Sequence, residues 1–193
     1  QTALNLLTDD VDRFTILVQD LLEISRYDVG TASLDAEPLD VVEFVRQVVA
    51  HSPYPDAQID THDLKHLVIK GDKRRLAQVV ANLLDNAAKY GAGQTLVELQ
   101  ARAEWILLAV EDEGPGVTSD ERNIIFDRFS RGSAGGRRGA GSGSGLGLSL
   151  VAEHVGLHGG QIWVEDRRDG GSGARFVVML PVGELDDFGE EYA

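Results

Sequence analysis

Between Leu76 and Ala87, apolar residues recur at Leu76, Val79, Val80, Leu83, Leu84 and Ala87, the spacing of one buried helix stripe. Beside that stripe, Asn82, Asn86 and Lys89 stand at i, i+4 and i+7 and share a second, polar stripe, with Tyr90 at the edge between them. Asp72 is the natural N-cap of this helix. Residues Gln1 to about Asp28 read as another helix, in which Leu7, Val11, Phe14, Val18, Leu21 and Ser25 follow a 4,3 heptad spacing. Leu4, Leu17 and Ile24 widen that stripe, which suits a helical bundle better than a two-stranded zipper. Val41 to Ala50 is a short amphipathic helix stopped near Pro53 and Pro55, and Leu146 to His158 is a last helix ended by Gly159-Gly160. Period-two alternation pairs Gln94 to Arg102 with Trp105 to Glu111 across Ala103-Glu104, and Gln161 to Glu165 with Ala174 to Leu180. Shorter strands are expected near Glu37 to Asp40, Gln58 to Asp60 and Leu67 to Lys70, and a short helix over Ser119 to Ile125. Hairpins with three main helices predict a two-layer α/β sandwich, a mixed sheet covered on one face, preceded by one long N-terminal helix.

Composition narrows the function. A length of 193 residues holds one substantial domain, here residues 30–183, plus the helical appendage of residues 1–29. Residues 184–193 form an acidic tail expected to be disordered. No apolar run approaches membrane-spanning length, and the N-terminus opens into a helical pattern rather than a signal peptide. The absence of cysteine rules out disulfides, thiolate metal sites and a cysteine nucleophile. A formal charge of −14 argues against a nucleic-acid partner. It also requires any phosphate ligand to be held by a local positive patch.

Three stretches carry candidate chemistry. The amide oxygens of Asn82 and Asn86 suit a hard cation such as Mg²⁺, and Lys89 is a point charge suited to phosphate; a solvated polar face explains the same stripe. Asp112 has the parity of Ile106, Leu108 and Val110, so its carboxylate points with apolar side chains and needs a donor. Read alone, Asp112 is equally a turn former before Gly114-Pro115-Gly116. Glycines crowd from Gly132 to Gly147 and run into an apolar helix, an arrangement that binds anions, although a linker is also glycine-rich. Arg131 immediately precedes that stretch, Arg137 and Arg138 lie in it, and Ser130 to Gly145 reads as a mobile lid over phosphates.

Four of these segments together resemble the boxes of sensor histidine kinases. Asn82-Leu-Leu-Asp-Asn-Ala-Ala-Lys-Tyr90 is similar to the N box, Asp112-Glu-Gly-Pro-Gly116 to the G1 box, Phe126-Asp-Arg-Phe129 to the F box, and Gly143-Ser-Gly-Leu-Gly-Leu148 to the G2 box. They occur in the family's order and at plausible spacing, and the resemblance covers nearly the whole chain. The resemblance implies the Bergerat fold shared with gyrase, Hsp90 and MutL ATPases. It makes Asn86 the Mg²⁺ ligand, Asn82 a contact to metal-bound water or phosphate, Lys89 a phosphate contact and Tyr90 a neighbour of the base or ribose. Asp112 accepts a hydrogen bond from the adenine amino group, Gly114 and Gly116 leave room for the base, and Arg131 lies nearest the γ-phosphate. Gly143, Gly145, Leu146, Gly147 and Leu148 complete the ATP site, with Asn82, Lys89 and Arg131 as the catalytic set. Phe126 and Phe129 are expected to anchor the base of the lid.

The same resemblance makes Gln1 to Asp28 the second helix of a dimerisation hairpin. The phosphoacceptor box is absent, since none of His51, His62, His66, His154 or His158 has its neighbours, so the chain reads as a piece of a longer, homodimeric, cytoplasmic kinase with a response regulator as partner. A membrane would be reached only through regions outside this chain. The competing readings are a nucleotide-binding regulatory module and an ATPase that hydrolyses ATP with water. ATPases of the wider family usually carry a glutamate general base where Asn82 stands, and an amide cannot take a proton.

Overall fold

The computed structural model describes residues 2–91, 93–130 and 145–182. The elements are α1 (Thr2–Asp28), β1 (Glu37–Asp40), α2 (Val41–His51), β2 (Gln58–Asp60), β3 (Val68–Gly71), α3 (Lys73–Tyr90), β4 (Leu96–Arg102), β5 (Trp105–Glu111), α4 (Gly147–Leu157), β6 (Gln161–Glu165) and β7 (Arg175–Pro181). Asp72 caps α3 by accepting the Arg75 amide at 3.1 Å, and Asp40 caps α2 by accepting the Val42 amide at 3.0 Å. The apolar stripe of α3 is buried from Leu76 to Ala87. It packs with Phe44, Val45 and Val49 of α2, Val151 and Val155 of α4, and the inward face of the sheet at Val97, Leu99, Ile106, Leu108 and Val110. Full burial of each such side chain stabilises the fold by about 1.5–3 kcal/mol relative to exposure.

Five strands form one sheet in the order β2-β4-β5-β7-β6, in which only the β2–β4 pairing is parallel. The sheet is therefore mixed and carries the helices on one face, as the alternation predicted. A second sheet pairs β1 with β3 antiparallel, Glu37 opposite Gly71. The sheet's other face is not simply solvated. Leu107, Ala109 and Val177 are buried there against Trp163 and Met179. Beside them, buried Arg175 pairs with buried Glu98, which also accepts hydrogen bonds from Arg168 and His62.

Two expectations need correction. Ser119 to Ile125 is not a helix: turns lead to a single 3₁₀ turn at Ile124–Phe126. Residues 119–123 are all polar, so a helix there would have no apolar stripe to dock. Phe129 does not anchor by its side chain, which is 64% exposed on a left-handed backbone (φ 62°). Its backbone does the work instead, the Phe129 amide donating to the Gly145 carbonyl at 2.9 Å. Phe126 packs edge-to-face on Phe176 with centroids 6.5 Å apart.

Candidate functional site

The C-terminal half of α3 is the wall on which the predicted residues meet. Asn82 and Asn86 are both half-buried on it. The Asn82 side chain donates to the carbonyl of Gly147, the first residue of α4, at 3.4 Å. Asn86 has no side-chain hydrogen bond among the described residues. Its amide oxygen is therefore free for a ligand from outside the chain. Lys89, one turn further, is exposed and paired with Asp85, which also accepts from the Tyr54 hydroxyl at 3.1 Å.

At its end, α3 runs into the turn after β5. Asp112 is only 5% exposed, and its Oδ1 accepts the Gly114 amide at 2.8 Å. Burial raises its pKa above the ordinary carboxylate value, and the Gly114 hydrogen bond opposes that shift. Two backbones crowd this carboxylate. A Cβ at Gly114 would lie 2.6 Å from the Tyr90 carbonyl and 2.8 Å from Asp112 Oδ1. A Cβ at Gly91 would lie 2.7 Å from Asp112 Cβ. Gly116 adopts φ 78°, where a side chain would also strike the Gly173 carbonyl. The β6–β7 loop closes the turn from behind. Ser172 Oγ donates to the Gly114 carbonyl at 2.7 Å, and the Asp112 amide donates to the Ala174 carbonyl at 2.9 Å.

Asp112, Gly114, Gly116 and Tyr90 thus gather at one end of the α3 wall, and Asn82, Leu146, Gly147 and Leu148 at the other. Asn82 and Tyr90 are eight residues apart, about 12 Å along the axis, with Asn86 midway. That length suits an extended nucleoside triphosphate. Gly145, at φ 73°, lies against the Phe129 backbone. Arg131, Arg137, Arg138 and Gly143 lie outside the described residues, as does the predicted lid between Ser130 and Gly145. Sequence reasoning missed Gly91 and Ser172, whose roles depend on contacts made across the fold. Among the described residues no group of three His, Cys, Asp or Glu side chains is placed to hold a metal ion. A divalent cation here would rest on Asn86 and on ligand oxygens, a donor set that fits Mg²⁺, which keeps most of its shell as water and phosphate.

Residues 71–184 match the family described as histidine kinase-, DNA gyrase B- and HSP90-like ATPase. The chain belongs to that family. The signal transduction histidine-protein kinase AfsQ2 of Streptomyces coelicolor is 35% identical over 94% of this chain and 33% of its own length. The probable sensor histidine kinase TcrY of Mycobacterium tuberculosis is 36% identical over 93% of this chain and 38% of its own. The chain therefore spans about a third of these relatives. Among solved structures, full-length ShkA in complex with AMPPNP superposes with a TM-score of 0.73, at 30% identity, over 93% of this chain and 38% of that one. The ATP binding domain of PrrB from Mycobacterium tuberculosis gives 0.60 at 30% identity, over 77% of this chain and 98% of that one. Among the described residues no helix is long and apolar enough to cross a membrane.

In this histidine kinase-type domain, α1 packs directly on the start of α4. Ile24, Leu146 and Leu150 form a buried cluster with Leu17 and Tyr27. Leu17 and Ile24, which widened the heptad stripe in the sequence, therefore face the domain rather than a bundle partner. Val11, Phe14, Val18 and Leu21 of the heptad remain exposed. Arg128 grips Asp28 with two hydrogen bonds of 2.6 and 2.7 Å. Beneath them, Arg75 Nη1 donates to Glu23 at 2.9 Å and to the Tyr27 hydroxyl at 2.7 Å, and that hydroxyl meets His154 Nδ1 at 2.5 Å. With donors on its Nδ1 side and the Gln78 amide oxygen 3.3 Å from Nε2, the network assigns His154 as neutral with the proton on Nε2.

Burial lowers the His154 pKa from 6.5 to about 4, Arg75 adding to the effect and Glu23 opposing it. Because the folded pKa lies below the unfolded one, the unfolded chain binds more protons between these values, and stability falls as pH drops from about 6.5 to 4. The loss should approach an order of 3 kcal/mol. Thermal melts across that range should show a falling midpoint in the native chain and a much shallower fall in His154→Gln. Equal slopes in the two would show that His154 is not the titrating group.

Proposed function

We propose that this chain is the ATP-binding catalytic part of a sensor histidine kinase, with residues 1–29 as the second helix of its dimerisation hairpin and residues 30–183 as the catalytic domain. It binds Mg·ATP and passes the γ-phosphate to a histidine on the other helix of that hairpin, for relay to a response regulator, within a cytoplasmic homodimer. One observation carries the reading: a buried carboxylate, Asp112, faces one end of an α3 wall whose other end meets the glycine-led start of α4. Asp112 orients the adenine, the glycines around it admit a flat base, and Tyr90 flanks it. Asn86 holds the cation, which neutralises phosphate charge, and Asn82 positions its water shell or a phosphate oxygen. Lys89 exchanges Asp85 for phosphate, and Arg131, together with the amides from Gly143 through Leu148, receives the γ-phosphate. The chain supplies positioning and charge, which are most of what phosphoryl transfer requires. The exposed Val11, Phe14, Val18 and Leu21 are the face left for the rest of the bundle.

The histidines of this chain support transfer to another helix. His154 and His158 are buried in hydrogen-bond networks, His62 and His66 are paired with Glu98 and Asp40, and His51 meets the Gln47 carbonyl of its own helix at 2.8 Å. Radiolabelled ATP should leave no acid-labile phosphate on the chain alone, and hydrolysis should be slow because Asn82 cannot activate water. Adding the complete hairpin as a separate chain should restore weak labelling of the hairpin, without the effective concentration of a covalent link. Label appearing on the isolated chain would reverse the assignment of acceptor.

A further inference from the structure

Away from the nucleotide wall, α2 and α3 leave an apolar groove of about 440 Å³. Phe44, Val48 and Ala77 line it, and His51, Lys73 and Arg74 stand on its rim. The rim carries the adjacent cations Lys73 and Arg74 in a chain of net charge −14. Two carboxylates already attend it: Arg74 touches Glu23 at 3.3 Å while its side chain stays 64% exposed, and Glu43 is engaged by Gln47 at 2.8 Å. The rim thus keeps cationic capacity for a further acidic group.

The chain carries a segment of matching chemistry. Residues 184–192, outside the described residues, read Glu-Leu-Asp-Asp-Phe-Gly-Glu-Glu-Tyr, five carboxylates interleaved with Leu185, Phe188 and Tyr192. The preceding strand delivers it to the correct end of the domain. Pro181 closes β7 beside Gly159, and neighbouring His158 accepts the Asp72 amide at 3.0 Å, at the very start of α3. From Val182, eleven residues reach up to about 36 Å, and the Pro181–Gly159 and His158–Asp72 contacts connect that strand end to the start of α3. We infer that residues 184–192 dock in cis on the α2–α3 groove, an aromatic side chain seated over Val48 and Ala77 and the carboxylates on Lys73, Arg74 and His51. The contact joins apolar burial to charge pairing, so it weakens with salt. It covers a surface of the catalytic domain independently of any bound nucleotide.

The test is methyl NMR of the full chain. Deleting residues 183–193 should shift the Val48 and Ala77 methyl resonances, and a peptide of residues 184–193 added in trans should reverse the shift, severalfold less effectively at high salt. Lys73→Glu with Arg74→Glu should reproduce the deletion, and Glu190→Lys with Glu191→Lys added to that pair should restore the native shifts. Circular dichroism checks that each exposed-charge variant stays folded. Because the chain has no cysteine, a spin label on Gly189→Cys reports the contact directly by broadening the same methyls. Methyl resonances unchanged by the deletion, or broadening that scales with protein concentration as a second copy would make it, overturns docking in cis.

Discussion

Asp112→Asn should weaken ATP binding by about 1–3 kcal/mol, the cost of a buried polar contact turned against its partner. The surroundings of Asp112 make the direction firm. Its Oδ1 already accepts the Gly114 amide, so an asparagine keeps its oxygen there and turns its NH₂ toward the ligand. That places a donor against the adenine amino group, where the carboxylate offered an acceptor. Flipping the amide would restore the acceptor and leave the Gly114 amide unpaired in a buried turn, so neither orientation recovers the native arrangement. The substitution keeps the shape, and the melting temperature should move little compared with the loss in affinity. GTP carries a carbonyl where ATP has the amino group, and the variant should lose much less toward it. Calorimetry with both nucleotides reads the difference. Parallel losses for ATP and GTP, or equal binding of the two by the native chain, would remove Asp112 from base recognition. Because burial raises the Asp112 pKa, ATP affinity should also decline on acidification before an exposed carboxylate would titrate.

What the sequence made legible was whatever repeats locally. The α3 stripe, its Asp72 cap and the parity that buries Asp112 all follow from periods of 3.6 and 2 within a dozen residues, and each stands where the spacing placed it. The glycines of the Asp112 turn were legible for the same reason. Features set by distant pairing were not. The β1–β3 sheet joins strands separated by a whole helix, and no local alternation announces it. Gly91 looks like a helix stop and becomes a constraint only when β5 delivers Asp112 against it. His154 sits in an apolar helix, and its partners Tyr27 and Arg75 are 127 and 79 residues away. Leu17 and Ile24 carry a bundle-like spacing, yet they pack on Leu146 and Leu150. A periodic pattern shows that a face is buried without naming what covers it. Where the pattern was absent, as across residues 119–123, the helical expectation had nothing to hold it.

Asn86→Ala should separate the metal from the nucleotide. Asn86 is the amide on the α3 wall without a side-chain partner among the described residues, whereas Asn82 is tied to the Gly147 carbonyl. Its neutral oxygen adds no charge that would repel phosphate, so it can serve a cation that brings most of its own ligands with the nucleotide. Removing a group that orients even an outer shell typically costs about 10- to 100-fold, and a direct ligand should cost at least that for Mg·ATP. Binding of metal-free ATP, measured with chelator present, should be nearly unchanged, since Asp112 and the glycines around it are untouched. The helix tolerates the change, because alanine is the stronger helix former and the site lies beside the buried stripe rather than in it. Asn86→Asp supplies the control with the opposite sign. It restores an oxygen for the cation while adding a negative charge facing phosphate, so Mg·ATP binding should partly recover and metal-free ATP should bind worse than to the native chain. Losses for Asn86→Ala that are equal with and without Mg²⁺ would move the cation off Asn86. In the transfer assay, label reaching the hairpin undiminished in Asn86→Ala would move the catalytic centre off this wall altogether.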